Sequence, residues 1–251
     1  MSAEPWPEGV GRIVLPTVDS TNAHALRLGA ALAPPCWVLA LEQTGGRGRR
    51  GRPWVSPRGN FHATLAMQPD GPPDQAALRS FVAALALRDA LAAVTGLPGA
   101  LALKWPNDVL LNGAKLAGIL LESTGAGRGV ALLAVGVGVN LIAAPDPAQL
   151  EPGAVPPVSL LAETGLRLTP EALLAHLAPA FARWEALFQA RGFAPLRAAW
   201  LDHAARLGQP IRARAGTAER TGIFETIDTT GALILSTPQG RQAIPAAEIF
   251  F

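Results

Sequence analysis

A short loop that alternates arginine with glycine is the first feature of this sequence suited to chemistry. It reads Gly-Arg-Gly-Arg-Arg-Gly-Arg from residue 46 to residue 52. Glycines let a ligand approach the backbone closely, and each guanidinium can hold a phosphate or carboxylate through two hydrogen bonds. We therefore interpret the segment as an anion-binding loop, with a solvated basic loop as the alternative. No acid interrupts the run of arginines between Glu42 and Asp70, which comprises Arg47, Arg49, Arg50, Arg52 and Arg58.

The two lysines of the chain are the second feature. Of 21 cationic residues only Lys104 and Lys115 are lysines, and both lie in one short window that also contains Asp108. A compact ammonium group differs chemically from the planar guanidinium that this chain uses elsewhere. A carboxylate near two ammonium groups, together with a phosphate-binding loop, suggests nucleotide chemistry. The alternative is that both lysines are ordinary surface residues.

Two familiar glycine motifs do not explain the loop. Residues 46–51 formally match G-x-G-x-x-G, but a dinucleotide fingerprint opens a helix immediately, whereas Pro53, Pro57 and Gly59 follow here. No G-x-x-x-x-G-K-[ST] string occurs, so a Walker A loop is excluded. A disordered RNA-binding segment would be longer and more repetitive.

The elements that must position these residues follow from capping signals and periodicity. Ser20-Thr21-Asn22 predicts an N-cap and a helix to Leu32, and Asn112-Gly113 predicts a tight hairpin turn. We also expect a Pro-rich loop over 143–157. The other predicted helices are 74–94, 169–191 and 195–207, and the predicted strands are 36–42, 61–68, 101–104, 108–111, 114–122 and 130–139.

The chain changes character after Gly208. Four short strands separated by turns are expected over 211–215, 222–228, 232–236 and 241–244, which fits a small β-barrel. We therefore predict a domain boundary near Gly208.

Composition excludes several classes of protein. The net charge of +2 disfavours a globally basic nucleic-acid binder, and the 16% of charged residues falls below the usual share of about 25%. Despite a mean hydropathy of +0.26, the longest uncharged stretches contain prolines or glycines and are too short to span a membrane. A single cysteine and the absence of a signal peptide favour a cytoplasmic protein. The four scattered histidines predict no dedicated metal site.

Five strings, in order and at matching spacing, resemble biotin–protein ligases over residues 17–142. The general layout of 169–251 is also similar. The strings are Ser20-Thr21-Asn22, Gln-Thr-Gly-Gly-Arg-Gly-Arg-Arg-Gly-Arg-Pro-Trp at 43–54, Lys-Trp-Pro-Asn-Asp at 104–108, Lys-Leu-Ala-Gly-Ile-Leu at 115–120 and Gly-Val-Gly-Val-Asn at 136–140.

The resemblance implies an α+β fold with two domains. Residues 1–207 would form a catalytic domain, a mixed β-sheet flanked by helices as in class II aminoacyl-tRNA synthetases and biotin–lipoate ligases. Residues 208–251 would form a small SH3-like β-barrel. The implied reaction joins biotin and Mg·ATP into biotinyl-5′-AMP and then transfers biotin to one lysine of a biotin carboxyl carrier domain.

The resemblance also implies roles for individual residues. Arg49, Lys115, Lys104 and Asp108 would be catalytic. Ser20, Thr21, Asn22, Gln43, Gly46, Arg47, Lys115 and Gly118 would bind biotin. Arg47, Arg49, Arg50, Arg52, Trp54, Lys104, Asn107 and Asn140 would bind ATP and the adenylate, with Trp54 packing on the adenine. The loop over 44–59 would fold over the intermediate and exclude water.

Asp108 is our candidate for orienting and deprotonating the acceptor lysine. An ordinary lysine has a pKa of about 10.4, so it needs help to react as a neutral amine.

Some members of this family carry an N-terminal winged helix-turn-helix, for which the sequence before Ser20 leaves no room. We therefore expect no binding to nucleic acid, no membrane association and no repressor activity; a homodimer is compatible with the sequence. Three alternatives remain open: a lipoate–protein ligase, a non-catalytic RNA-binding protein and a nicotinamide oxidoreductase.

Overall fold

The computed structural model describes residues 4–33, 35–125, 129–146, 148 and 153–251. These residues form twelve strands and six α-helices. In chain order they are β1 (Gly11–Leu15), α1 (Thr21–Leu28), β2 (Cys36–Ala40), β3 (Phe61–Met67), α2 (Pro73–Ala77), α3 (Arg79–Thr95), β4 (Leu101–Lys104), β5 (Asp108–Leu111), β6 (Ala114–Thr124), β7 (Leu132–Val139), α4 (Leu160–Thr164), α5 (Pro170–Arg191), α6 (Phe193–Leu201), β8 (Pro210–Ala215), β9 (Ala218–Ile227), β10 (Leu233–Thr237), β11 (Gly240–Ile244) and β12 (Glu248–Phe250).

The larger sheet has seven strands in the order β1-β2-β3-β7-β6-β5-β4. Only β1 and β2 pair in parallel, and the other neighbours are antiparallel. The prediction of a mixed sheet flanked by helices is therefore confirmed.

The two faces of this sheet are covered differently. Helices α3 and α5 pack on one face, where Phe61, Leu85, Leu103 and Leu177 belong to one large apolar core. On the other face α1 covers only a small cluster that includes Ala25, Cys36 and Val38. The rest of this second face is left open, and the candidate site lies there.

Local sequence signals correctly located several elements. The side chain of Ser20 caps α1 by accepting from the backbone N–H of Ala23, and Thr169 caps α5 in the same way through Ala172. The hairpin between β5 and β6 turns at Asn112 and Gly113, with φ values of 50° and 81° as a type I′ turn requires.

Other boundaries differ from the predictions. The helix expected over 195–207 begins at Phe193 and ends at Leu201, because the following backbone pairs with β4: Leu103 donates to the His203 carbonyl and accepts from the Ala205 N–H. The helix expected over 74–94 is two helices, α2 and α3. The first helix ends at Leu28 and a 3₁₀ turn continues to Leu32. Strands β1 and β12 and helix α4 were not predicted. The predicted Pro-rich loop lies partly outside the described residues.

The C-terminal strands form a separate five-stranded antiparallel sheet in the order β11-β10-β9-β8-β12. This agrees with the SH3-like layout that the sequence predicted. The sheet is joined to the larger domain partly through Trp105, whose indole Nε1 donates to the carbonyl of Gly231 at 3.0 Å.

No helix within the described ranges combines the length and the apolar character needed to cross a membrane.

Candidate active site

One row of residues crosses the open face of the large sheet and forms the floor of the site. The strand registers place Lys104 opposite Asp108, Asp108 opposite Gly118, Gly118 opposite Gly138, and Gly138 opposite His62. Charged groups therefore occupy one end of the row, and its centre carries no side chains. A flat centre leaves room for an aromatic ring to lie on it, beside the charged end of the row.

Asp108 brings the two lysines together. Its Oδ1 lies 2.7 Å from Lys115 Nζ, and its Oδ2 lies 3.7 Å from Lys104 Nζ. Lys115 reaches this face because a β-bulge follows it: the pairing of β5 with β6 shifts between Val109 and Leu110. As a result Leu116 points into the core, and Lys115 turns to the side of Asp108.

The cluster is buried, and its charges shift one another. Burial alone would raise the pKa of Asp108, but the charges of Lys115, Lys104 and Arg49 outweigh it and hold that pKa below its usual value. Burial lowers the pKa of Lys104 and of Arg49, opposed in each case by the charge of Asp108. Asp108 is therefore ionised, and the cluster carries more positive than negative charge.

The arginine–glycine loop covers this end of the row. Arg49 reaches inward, and one guanidinium nitrogen donates to Asn107 Oδ1 and to the Ala247 carbonyl, each at 3.4 Å. Arg50 and Arg52 instead turn to Glu248 on β12, at 3.3 Å and 2.5 Å. Thus the loop is held between the sheet and the C-terminal domain.

Trp54 lies on the glycines at the centre of the floor. A Cβ built on Gly138 would lie 2.6 Å from Trp54 Nε1, and one on Gly118 would lie 3.3 Å from the ring. No larger residue could occupy position 138 with Trp54 in place. Lys115 Nζ lies 5.7 Å from the indole centroid, so the ring also borders the lysine cluster. Trp54 Nε1 is buried without a hydrogen-bond partner among the described residues.

A polar network occupies the opposite end of the floor, next to α1. Gln43 Oε1 accepts from the backbone N–H of Thr21 at 2.8 Å, and its Nε2 donates to Ser56 Oγ at 3.0 Å. The Thr21 hydroxyl lies 2.8 Å from that of Thr64 on β3. Nearby His62 is buried, and burial lowers its pKa to about 4, so the ring is neutral.

Most of these groups line a cavity of about 280 Å³, although Ser56, His62 and Thr64 are not part of its wall. Most of the residues proposed from the sequence line it, but Gly46 and Arg50 do not. Gly46 is buried beneath Trp54 and Ser56. Asn107 donates to the Ile119 carbonyl and Asn140 to the Val158 carbonyl, so both amides are partly committed within the protein. The proposed residues on the wall are Ser20, Thr21, Asn22, Gln43, Arg47, Arg49, Arg52, Trp54, Lys104, Asn107, Asp108, Lys115, Gly118 and Asn140.

Sequence reasoning missed three polar residues at the site. Glu248 borders the cavity, while Thr64 and Glu122 lie behind Thr21 and Asn22. Thr64 could have been found from its place in the predicted strand 61–68, facing the same way as His62. Glu122 and Glu248 lie in no recognisable motif, so no local signal marked them.

No group of three or more His, Cys, Asp or Glu side chains within the described part of the chain is arranged to hold a metal ion.

Comparison with known proteins agrees with this geometry. Residues 14–140 match the Biotin/lipoate A/B protein ligase family, and residues 207–251 match the Biotin protein ligase C terminal domain. A protein of Paracoccus denitrificans named biotin–[acetyl-CoA-carboxylase] ligase is 62% identical over 238 residues, covering 95% of this chain and 99% of its own length. The chain belongs to the biotin/lipoate A/B protein ligase family.

More distant members of the family agree. The bifunctional ligase/repressor BirA of Escherichia coli K12 is 32% identical over 231 residues, which cover 91% of this chain and 70% of the longer relative. Among solved structures, the biotin protein ligase of Aquifex aeolicus in complex with biotin and ATP superposes with a TM-score of 0.79 at 25% identity. That match covers 95% of this chain and 97% of the other.

Proposed function

We propose that this protein attaches biotin to one lysine of a biotin carboxyl carrier domain, using ATP and a biotinyl-5′-AMP intermediate. The acceptor we propose is the carrier domain of acetyl-CoA carboxylase, the substrate in the name of the Paracoccus relative. The observation that carries the proposal is a single cavity with a cationic cluster at one end and a neutral polar network at the other. Such a cavity fits a ligand with an acidic end and a neutral polar ring.

The first step brings two anions together. The biotin carboxylate attacks the α-phosphate of ATP, and pyrophosphate leaves with both bonding electrons. Lys115, Lys104 and Arg49 supply positive charge where these groups meet, with Arg47 and Arg52 beside them. Mg²⁺ enters with ATP as part of the substrate. The apolar surface of Trp54, which itself lies on Gly118 and Gly138, provides a platform against which the intermediate packs.

The second step transfers the biotinyl group to an amine. The neutral lysine nitrogen attacks the acyl carbon of the mixed anhydride, the C–O bond to AMP breaks, and AMP leaves with the bonding electrons. The nitrogen loses its remaining extra proton to solvent as the amide forms. At reference pKa values, moving a proton from lysine to aspartate costs about 9 kcal/mol, and the lowered pKa of Asp108 increases that cost. Asp108 is thus better suited to orient the amine than to retain its proton.

The proposal keeps the division into a catalytic domain over 1–207 and a C-terminal domain over 208–251. We further propose that the protein works in the cytoplasm, binds no nucleic acid and can form a homodimer. Sedimentation with and without biotin and ATP tests the dimer, and a gel-shift assay with double-stranded DNA tests nucleic-acid binding.

Mass spectrometry tests the function directly. A carrier domain of acetyl-CoA carboxylase is incubated with the protein, biotin and ATP, and a single biotinyl adduct on one lysine is expected. Reactions without ATP, or with lipoate in place of biotin, serve as controls. A lipoyl adduct without a biotinyl adduct would identify a lipoate ligase, and RNA binding without ATP turnover would support the non-catalytic alternative.

A further inference from the structure

A chain of hydrogen bonds connects Glu122 on β6 with the residues expected to bind biotin. Asn22 Nδ2 donates to Glu122 Oε2 at 2.8 Å and to the Leu120 carbonyl at 3.2 Å. On its other side, Asn22 Oδ1 lies 2.6 Å from Thr64 Oγ1. Thr64 Oγ1 in turn lies 2.8 Å from Thr21 Oγ1. These hydrogen bonds thus run from a carboxylate behind Asn22 to Thr21, which with Gln43 forms the part of the cavity proposed to hold the biotin ring, here called the ring subsite.

The acceptors around Asn22 decide which way its amide points. The carboxylate oxygen of Glu122 and the backbone carbonyl of Leu120 accept hydrogen bonds, so the NH₂ group of Asn22 must face them. Both amide hydrogens are then used, and Oδ1 must accept from Thr64. The amide fits here because position 136 is glycine: a Cβ there would lie 2.4 Å from Asn22 Oδ1.

The same reasoning fixes the two threonine hydroxyls. Thr64 has one hydroxyl hydrogen, which goes to Asn22 Oδ1. Thr21 has one hydroxyl hydrogen for two contacts, Thr64 Oγ1 at 2.8 Å and Gln43 Oε1 at 3.1 Å. Because the Thr64 hydrogen already goes to Asn22, the shorter of the two contacts takes the Thr21 hydrogen, and Thr21 donates to Thr64. Thr21 Oγ1 is therefore left with only lone pairs to offer a ligand.

Gln43 adds a second acceptor at the same place. Its Oε1 accepts from the Thr21 backbone N–H and lies 3.1 Å from Thr21 Oγ1. Since the hydrogen of Thr21 is committed to Thr64, two oxygens without a hydrogen between them lie side by side. Such a pair is stabilised by N–H donors from a ligand.

We propose that Glu122 is a positioning residue that sets the hydrogen-bond polarity of the ring subsite. Through Asn22 and Thr64 it makes Thr21 Oγ1 an acceptor, beside the acceptor Gln43 Oε1, for a ring N–H of the substrate. This inference rests on the proposed function, because biotin supplies such N–H groups in its cyclic urea. A dithiolane such as lipoate has no N–H and leaves both oxygens unpaired, which disfavours it.

Steady-state kinetics of pyrophosphate release test the role of Glu122. Glu122→Leu removes the fixed acceptor and is expected to raise the KM for biotin about tenfold with kcat within twofold of wild type. Glu122→Gln can still accept from Asn22 and is expected to keep KM within about twofold. With a biotin that is methylated on a ring nitrogen, the ratio of the KM of Glu122→Leu to that of wild type should be smaller than with biotin itself.

A double-mutant cycle tests whether the effect passes along the chain. Thr64→Val breaks the same relay next to Thr21 and should raise KM to a similar degree. The double variant should be no worse than the poorer single variant, because both break one relay. The matched control is Glu163→Leu: Glu163 also accepts from an asparagine Nδ2 at 2.8 Å, that of Asn112, but outside the cavity. It should leave KM and kcat unchanged.

The outcomes separate this inference from the proposed function. If wild type forms no biotinyl adduct, the function itself fails. If wild type is active but Thr64→Val and Glu122→Leu leave KM unchanged, or change it additively, the inference is overturned and the function stands. If Glu122→Leu does not fold, the KM of Thr64→Val alone decides, and an unchanged value overturns the inference.

Discussion

Lys115 and Lys104 share one carboxylate but differ in accessibility. The Lys115 side chain is 30% exposed and that of Lys104 is 10% exposed. Lys115 also borders Trp54, on the floor of the cavity. Lys115 is therefore the lysine better placed to contact the phosphate and stabilise the negative charge that develops on it. Lys104 is more buried and mainly contributes positive charge beside Asp108.

Removing Lys115 should impair adenylate formation more than binding. We expect Lys115→Ala to slow pyrophosphate release at saturating substrate by about 100-fold, the usual cost of losing one charge-stabilising group. The Kd for biotin, measured by calorimetry, should rise only a few-fold. Equal losses in rate and affinity would show that Lys115 acts mainly in ground-state binding.

Asp108 should contribute to stability in a pH-dependent way. Its folded-state pKa lies below the ordinary value of 3.8, so the folded protein binds fewer protons than the unfolded chain between these two values. The stabilisation is complete above about pH 5 and is lost as the pH falls toward the folded-state pKa.

Asp108→Asn tests this, because it leaves the two lysines without a counter-charge. We expect a loss of about 3 kcal/mol in the free energy of unfolding at pH 7, measured by urea denaturation. The difference from wild type should shrink as the pH is lowered through 4. A difference that is constant from pH 7 to pH 3.5 would contradict the assignment of charge to Asp108.

The sequence predicted some site residues because their chemistry is unusual for this chain. Two lysines among many arginines, with an aspartate between them, could be recognised without a structure. The direction in which the Lys115 side chain points could not be recognised from the sequence, since it depends on a bulge that exists only when β5 pairs with β6. Glu122 acts through Asn22, which is far away in sequence, so its contribution to the site could be recognised only from the fold.

At the scale of elements, a buried ion pair ties the two long helices together. Arg79 on α3 donates to Glu185 Oε1 on α5 through Nε at 3.1 Å and Nη2 at 2.7 Å. Glu185 Oε2 is buried without a hydrogen-bond partner in the described structure, so the pair is incompletely satisfied. These helices form the layer beneath the sheet that carries the site.

Removing one member of this ion pair should lower the free energy of unfolding more than replacing both members with apolar side chains. Arg79→Leu alone leaves a buried carboxylate without its counter-charge, and we expect a loss of about 3–5 kcal/mol in urea denaturation. The double variant Arg79→Leu/Glu185→Leu should recover most of that stability, because two apolar side chains need no partner. A double variant as unstable as the single one would mean that the pair contributes more than its burial costs.

Elements defined by local signals were the ones the sequence located best. Ser20 and Thr169 cap their helices, and Asn112-Gly113 turns the hairpin, as expected. Elements defined by distant partners were missed or misplaced. β1 and β12 are short edge strands held by β2 and β8, and α6 ends where the chain meets β4.

At the scale of the whole molecule, the C-terminal domain completes the wall of the cavity. Glu248 on β12 contacts three arginines: Arg50 and Arg52 from the loop, and Arg214 from β8 at 2.7 Å. Burial would raise the pKa of Glu248, but hydrogen bonds and charge from Arg214, Arg52 and Arg50 lower it. This carboxylate therefore ties the arginine–glycine loop to the second domain.

Glu248→Gln should free the loop for proteolysis without unfolding the protein. Partly exposed ion pairs contribute up to about 1 kcal/mol, so we expect trypsin to cleave after Arg49 and Arg50 about three- to fivefold faster. Cleavage after Arg58, which pairs with Glu42, serves as an internal reference.

The matched control for that experiment is Glu225→Gln, because Glu225 pairs with Arg241 at 2.7 Å in the same C-terminal sheet but does not contact the loop. Its cleavage rates should equal those of wild type. Faster cleavage at Arg58 as well, or in Glu225→Gln, would indicate general loosening of the C-terminal domain. Unchanged cleavage in Glu248→Gln would show that Arg49, through Asn107 and the Ala247 carbonyl, holds the loop in place without Glu248.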